Sequence, residues 1–149
     1  MDEKDHDILK LMQNDARLTA DAISQQVGLS APAVQKRLKK LRETGVIEKD
    51  IAVLSPEKLG RDMTIIAEVI LEKESHAQLD AFRRKMREAP CVQQCYYTTG
   101  EADFLMILLV RDIREYEQFT QDYFFDESNV SRFKTSVVMN RVKVSLDVL

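Results

Sequence analysis

The sequence of 149 residues has little of what marks secreted, membrane-spanning or nucleic-acid-coating proteins. No apolar run approaches the roughly 20 residues that a membrane-spanning helix needs. The first residues, MDEKDHD, are acidic where a signal peptide would be basic, so the expected compartment is the cytoplasm. The net charge of −3 argues against a general nucleic-acid coat, and any DNA binding has to come from a local basic surface.

Cysteine and histidine are also scarce. Cys91 and Cys95 are four residues apart on a predicted strand, a span of about 13 Å that is too long for a disulfide. His6 and His76 are distant from each other in the sequence and lie beside no such cluster. The sequence therefore predicts free structural thiols, no metal site and no cofactor.

Motifs for catalysis are missing as well. The sequence contains no P-loop and no dinucleotide-binding fingerprint, and neither histidine lies in a recognisable nucleophile setting. We therefore expect no catalytic residues and no enzymatic activity.

What the sequence does contain is a short basic helix with clear start and stop signals, in the segment SAPAVQKRLKKLRETG. Ser30 is a favoured N-cap, Pro32 lies in the first turn, and Gly45 can end the helix in a left-handed conformation. Apolar residues at i, i+4 and i+7 form one stripe, which leaves a cationic, amide-bearing side for solvent. The candidate DNA-binding residues on this helix are Ser30, Gln35, Lys36, Arg37, Lys39 and Lys40.

Two predicted helices come before the basic one. The segment from Asp7 to Met12 has an apolar face, and Thr19 caps a second short helix, ADAISQQV. Gly28-Leu-Ser30 joins that helix to the basic helix by a tight turn, and this arrangement is typical of a helix-turn-helix. The β-prone segments 46–47 and 51–53 predict a short wing.

The first fifty residues resemble the DNA-binding domain of the Lrp/AsnC (leucine-responsive/asparagine-responsive, feast/famine) bacterial transcription regulators. The resemblance extends into the second half and covers essentially the whole chain. The matching segments of the first half are Asp5-His-Asp-Ile-Leu9, Asp15-Ala-Arg-Leu-Thr19, Ile23-Ser-Gln-Gln-Val-Gly-Leu-Ser30, Arg37-Leu-Lys-Lys-Leu41 and Gly45-Val-Ile47.

The chain divides into two predicted domains of an α+β protein. Residues 1–53 form the winged helix-turn-helix, 54–61 a linker with Pro56 and Gly60, and 62–149 the second domain. Hydrophobic periodicity in the second domain alternates in the order β-α-β-β-α-β, which predicts a ferredoxin-like sandwich. The predicted strands are 64–71, 92–98, 104–110 and 130–144, and the predicted helices are 75–89 and 113–124.

The strands TIIAEVIL and FLMILLV are apolar at both alternating sets of positions. Two helices can cover only one face of the sheet, so a partner is expected on the other. A homodimer packed sheet to sheet fits this pattern. The resemblance implies dimers and larger rings, and it suggests an octamer.

A polar turn separates two of these apolar strands. Its simplest interpretation is a plain β-turn in which Gly100 supplies a positive φ and Asp103 bonds local backbone. It also resembles the Gly-[Asp/Glu]-x-Asp-aromatic turn of the Lrp/AsnC family, which lines an intersubunit pocket for a free amino acid. On the basis of the resemblance and of the polar groups of the turn, the candidate effector-binding residues are Tyr97, Thr98, Thr99, Gly100, Glu101, Asp103, Thr135, Ser136 and Val137.

The sequence thus predicts a regulator that binds specific double-stranded DNA and whose assembly or DNA affinity responds to an amino acid or a closely related metabolite. Acidic residues in the turn, with Asp126 and Glu127 expected nearby, favour a cationic effector such as lysine or arginine over leucine. Two alternatives remain: an effector-independent architectural DNA-binding protein, and an amino-acid-sensing regulatory module of a metabolic enzyme.

Overall fold

The computed structural model describes residues 1–125 and 129–149, so Asp126 and Glu127 lie outside the described residues. The chain forms two compact units. One comprises Met1–Val53 with Lys143–Leu149, and the other comprises Leu54–Val142.

The first unit is built on the three helices α1 (Glu3–Asn14), α2 (Ala20–Val27) and α3 (Ala31–Glu43). Thr19 and Ser30 cap α2 and α3 as the sequence predicts, since each side chain accepts a hydrogen bond from a backbone N–H three residues later. Gly28 ends α2 at φ 67°, in the left-handed conformation that glycine adopts without strain. The buried residues shared by the three helices are Ile8, Met12, Ile23, Val27, Val34, Leu38 and Leu41.

The segment after α3 differs from the prediction, because neither wing strand at 46–47 or 51–53 is formed. Ile47 donates its backbone N–H to Leu41, and Asp50 accepts from Arg42 at 3.0 Å. These bonds hold the segment to the end of α3 rather than to another strand. A β-prone pair of short segments needs ladder partners, and none lies beside them in the described part of the chain.

The C-terminal segment Lys143–Leu149 groups with the first unit, whereas the sequence assigned it to the second domain. The Gln13 side chain bonds its backbone: Nε2 donates to Leu149 O at 2.9 Å, and Oε1 accepts from Val148 N at 2.7 Å. The last strand ends at Val137, whereas the sequence predicted that it reaches residue 144. The strand beside it begins at Met63, and the described residues offer no ladder partner beyond that point.

The second unit has the predicted β-α-β-β-α-β order. Its four strands form an antiparallel sheet in the order β2-β3-β1-β4, which is the ferredoxin-like arrangement. A short 3₁₀ turn, Glu57–Leu59, precedes the sheet, and a π-helical turn, Gln121–Phe125, extends the last helix. The bounds are β1 Met63–Leu71, α4 His76–Glu88, β2 Val92–Tyr97, β3 Phe104–Val110, α5 Ile113–Thr120 and β4 Val130–Val137.

The two faces of this sheet differ. The face under α4 and α5 is buried at its centre, where Ile65, Phe104 and Met106 are at most 1% exposed. On the opposite face the alternating residues Ile66 and Ile107 are only half-buried in the single chain. The apolar residues of this open sheet face are Ile66, Ile70, Tyr96, Leu105, Ile107 and Leu109.

Candidate DNA-binding helix and effector turn

The outer side of α3 is exposed, as the hydrophobic spacing predicts. Val34, Leu38 and Leu41 are buried against α1 and α2. Ser30, at the N-cap, keeps its hydroxyl at the start of the helix, where it accepts from Ala33 N at 3.4 Å. The exposed candidates on the helix are Gln35, Lys36, Lys39 and Lys40.

The cations of this helix are not equally available. Lys39 lies 3.7 Å from Glu43, and Arg42 lies 3.0 Å from Asp50. Lys36 and Lys40 have no ion-pair partner among the described residues. Since exposed ion pairs contribute little and break easily, Lys39 also remains accessible to a ligand. The helix thus presents a cationic side of mostly unpaired lysines.

Arg37 has a different environment. Its Nη1 donates to both carboxylate oxygens of Asp2 at 2.8 Å and to Oδ1 of Asp5 at 2.7 Å. Hydrogen bonds from backbone N–H groups, followed by those from Arg37, lower the pKa of both carboxyl groups. Sequence analysis missed Asp2 and Asp5 as partners of this arginine, because a contact between α1 and α3 has no local sequence signal.

The polar turn between β2 and β3, residues 98–103, is fixed mainly by hydrogen bonds to its own backbone. Thr98 N donates to Asp103 O at 2.9 Å, and Thr98 Oγ1 donates to Ala102 O at 2.7 Å. Gly100 has φ 114°, a conformation that a residue with a side chain adopts only with strain. Thr99 and Glu101 are exposed beside it. The turn therefore presents a hydroxyl, a backbone N–H and a carboxylate to solvent.

Asp103 supports the neighbouring strand rather than pointing freely into solvent. Its backbone N–H donates to Val69 O at 2.9 Å, and its Oδ2 accepts from Leu71 N at 2.7 Å. The carboxylate thus extends the β1–β3 pairing beyond the last paired residues, Val69 and Phe104. The plain-turn interpretation anticipated backbone bonding by Asp103, but not that the bonded N–H belongs to β1.

Of the other effector candidates, Tyr97 adjoins this turn, whereas Thr135, Ser136 and Val137 on β4 lie apart from it within one chain. Tyr97 is on the helix-covered face, with its ring centroid 5.2 Å from that of Phe104 and 4.9 Å from the Arg83 guanidinium. Thr135 is on the same face, where its hydroxyl bonds Tyr116 at 2.5 Å. Ser136, the next residue, points to the open face.

The strand register also separates the candidates on β4 from those in the turn. Thr135 and Val137 on β4 pair with Ala67 and Ile65 of β1. The turn lies on the other side of β1, next to the point where Phe104 of β3 pairs with Val69. At about 3.4 Å per residue and 4.8 Å per strand, the groups lie on the order of 15 Å apart. One chain alone does not bring them together.

The thiols and acidic groups of the described residues form no further candidate site. Cys91 and Cys95 are free, and burial raises the pKa of the Cys95 thiol to about 11. No group of three or more His, Cys, Asp or Glu residues suited to a metal ion occurs among residues 1–125 and 129–149. Over the same ranges, no helix is both long and apolar enough to cross a membrane.

Comparison with known families matches both halves of the chain. Residues 1–48 match the model of a winged helix-turn-helix DNA-binding domain, and residues 64–148 match that of the Lrp/AsnC ligand binding domain. The chain belongs to the Lrp/AsnC family. It is accordingly a helix-turn-helix transcriptional regulator with a ligand binding domain.

Individual relatives agree with the family assignment. An HTH-type transcriptional regulator of Sinorhizobium fredii is 42% identical over 148 residues, which cover 99% of this chain and 88% of the relative. The crystal structure of an AsnC family regulator from Agrobacterium tumefaciens has a TM-score of 0.94 at 27% identity, covering 100% and 97% of the two chains.

A second similar structure was solved with a ligand. The Neisseria meningitidis regulator NMB0573 in complex with L-Met has a TM-score of 0.93 at 27% identity, covering 100% of this chain and 96% of that one. These relatives are named as transcriptional regulators and not as enzymes.

Proposed function

We propose that this Lrp/AsnC regulator binds specific duplex DNA as a dimer, with α3 in the major groove. Gln35 and Lys39 contact base edges, and Lys36 and Lys40 contact bases or phosphates. Ser30, at the N-cap, lies beside the DNA backbone. Arg37, which two carboxylates hold, is left out of this contact set.

One observation carries this proposal. The capped helix α3 buries one apolar stripe and exposes lysines that lack an ion-pair partner among the described residues. In a protein of net charge −3, such a local cationic surface suits one α-helix lying in a groove rather than a general coat.

The test is the salt dependence of DNA binding by a variant with Lys36→Ala and Lys39→Ala. Each lost lysine–phosphate contact should weaken binding to all sequences and lower the salt slope by about one. Lys10→Ala, an exposed lysine on α1, is the matched control and should leave the slope unchanged. If the double variant kept the affinity and the slope of the unmodified protein, the assignment of α3 would be wrong.

The open sheet face supports the proposal that the protein is a dimer. Its half-buried Ile66 and Ile107 belong to an apolar surface that has no covering helix in the described part of the unit. Burial of such a surface stabilises association, since apolar area removed from water contributes roughly 25 cal/mol per Å². A second copy, packed sheet to sheet, is the proposed cover.

The effector proposed for this protein is an amino acid or a closely related metabolite at the subunit interface. Thr98, Thr99 and the Gly100 N–H suit a ligand carboxylate, and Glu101 with the remaining oxygen of Asp103 suits an ammonium group. Thr135, Ser136 and Val137, which one chain holds away from the turn, are proposed to come from another subunit of the oligomer. Tyr97 is proposed as a wall, and the acidic turn favours a cationic effector.

A thermal-shift screen of the standard amino acids tests this site, with and without Gly100→Asp. At φ 114° the aspartate strains the turn and places a carboxylate beside the ligand carboxylate, so it should abolish stabilisation by the effector. If no amino acid stabilised a protein that still dimerises and binds DNA, the architectural alternative would replace the effector proposal.

A further inference from the structure

We propose that Asp2, Asp5 and Arg37 form a clamp that positions α3 for DNA binding, and that Arg37 makes no phosphate contact. This inference rests on the proposed function, because it assigns a role within the same DNA-binding helix. It removes one cation from the expected contact set and adds two acidic residues at the start of α1, the N-cap Asp2 and Asp5, to the DNA-binding machinery.

The clamp begins as a capping box at the start of α1. Asp2 Oδ1 accepts from Asp5 N at 2.9 Å, and Asp5 Oδ2 accepts from Asp2 N at 3.0 Å. Each carboxylate has a second bond, to Nη1 of Arg37 at 2.7–2.8 Å. One guanidinium from the middle of α3 thus closes a network that also fixes the first turn of α1.

The position of Arg37 on α3 explains why its side chain turns toward α1. It follows Val34 by three residues and directly precedes Leu38, so it lies at the edge of the buried stripe. Its side chain is 30% exposed and that of Asp5 is 14% exposed, whereas the Lys39 side chain is 76% exposed. Arg37 therefore belongs to the helix–helix boundary and not to the outer cationic side.

The charges of the clamp argue against transfer of Arg37 to DNA. Two carboxylates bond one guanidinium, so the group carries a net negative charge while the arginine stays in place. Movement of Arg37 to a phosphate would leave Asp2 and Asp5 unpaired near the anionic duplex, which is unfavourable. The lysines Lys36 and Lys40 need no such rearrangement.

The Asp5→Asn variant distinguishes a positioning role of Asp5 from a purely electrostatic one, because the two roles change the DNA affinity in opposite directions. If Asp5 only adds negative charge near the DNA, its removal should tighten binding. If it holds α3, removal should weaken binding, by about fivefold for one charge-assisted hydrogen bond. Asp21→Asn is the matched control, since Asp21 is exposed on α2 without an ion pair among the described residues, and it should not weaken binding.

Arg37 variants test the same inference through the salt slope. The probe is a fluorescent duplex selected by the unmodified chain from a random-sequence pool. Arg37→Gln should lower the affinity with an unchanged slope, Arg37→Lys should recover part of the loss, and Lys36→Gln should lower the slope by about one. Circular dichroism confirms that each variant is folded, and Asp2→Asn replaces Asp5→Asn if that variant unfolds.

The possible outcomes separate this inference from the proposed function. A slope reduced by about one in Arg37→Gln, or tighter binding by Asp5→Asn, would overturn the clamp while leaving α3 as the DNA-binding helix. A slope that neither Lys36→Gln nor Arg37→Gln changes, in a chain that binds the duplex, would overturn the role of α3 itself. Weaker binding by Asp5→Asn with the slope kept in Arg37→Gln supports the clamp.

Discussion

Replacing Asp103 with alanine should destabilise the unit Leu54–Val142, because the carboxylate of Asp103 satisfies a backbone group of β1. Oδ2 of Asp103 accepts from Leu71 N at 2.7 Å. Leu71 is 4% exposed, so water cannot readily replace the lost acceptor. The alanine variant would leave a nearly buried N–H without a partner at the end of the central strand.

The size of the effect follows from that one bond. A hydrogen bond to a charged group contributes roughly 1.5–3 kcal/mol, and Asp103 is half-buried, so we expect a loss of about 2 kcal/mol in the free energy of unfolding. A domain of 60–100 residues loses roughly 4–8 °C of melting temperature per kcal/mol, which gives a decrease of about 10 °C. Asp103→Asn keeps an uncharged acceptor and should lose about half as much.

Urea and thermal unfolding of the full chain, followed by circular dichroism, measure this loss. Glu101→Ala is the matched control, because Glu101 lies in the same turn, is exposed and has no hydrogen bond among the described residues. Its unfolding free energy should change by less than about 0.5 kcal/mol. Equal stability of the Asp103→Ala and Glu101→Ala variants would refute the structural role of Asp103 and leave only a ligand-binding one.

Three further predictions concern the sheet face, a thiol and the clamp. Ile107→Glu should weaken self-association at least about a hundredfold in sedimentation, since it buries an unpaired charge, whereas a dimer as stable as that of Ile107→Leu would exclude this face. Cys95, with a pKa raised to about 11, should react slowly with iodoacetamide near pH 8 and faster as the pH approaches 11; fast reaction near pH 8 would contradict the raised pKa. The folded-state pKa of Asp5 is below its ordinary value of 3.8, so its stabilisation should be constant above that pH and disappear as the pH falls through the lowered value. Asp5→Asn should reduce this acid dependence in urea unfolding of the full chain and leave the part due to Asp2, whose pKa is also lowered. An unchanged acid dependence would assign it to other carboxyl groups.

Local signals were enough to predict most helices and strands of this protein. Ser30 and Thr19 mark helix starts by a hydrogen bond that spans only three residues, so the sequence contains both partners. The order of the strands also followed from alternation and turn signals along the chain. The wing strands at 46–47 and 51–53 were wrong, because strand formation depends on a neighbour that β-propensity alone does not supply.

The candidate sites were predictable to different degrees. The exposed lysines of α3 follow from helical spacing, and the structure confirms that they are exposed. The environment of Arg37 did not follow, because its partners on α1 are more than thirty residues away in sequence. The contact of the α3 lysines with DNA stays a prediction, as does the binding of an effector by the turn.

The sequence by itself determined the periodicities, the helix caps and the left-handed glycines, since each depends on residues within one or two turns. The tertiary structure decided which polar groups are already engaged. It turned Arg37 toward Asp2 and Asp5, directed Asp103 to Leu71 N, and placed Thr135 away from the turn. The physical reason is that hydrogen bonds and ion pairs depend on distances between elements that are remote in sequence, and packing of the apolar cores sets those distances.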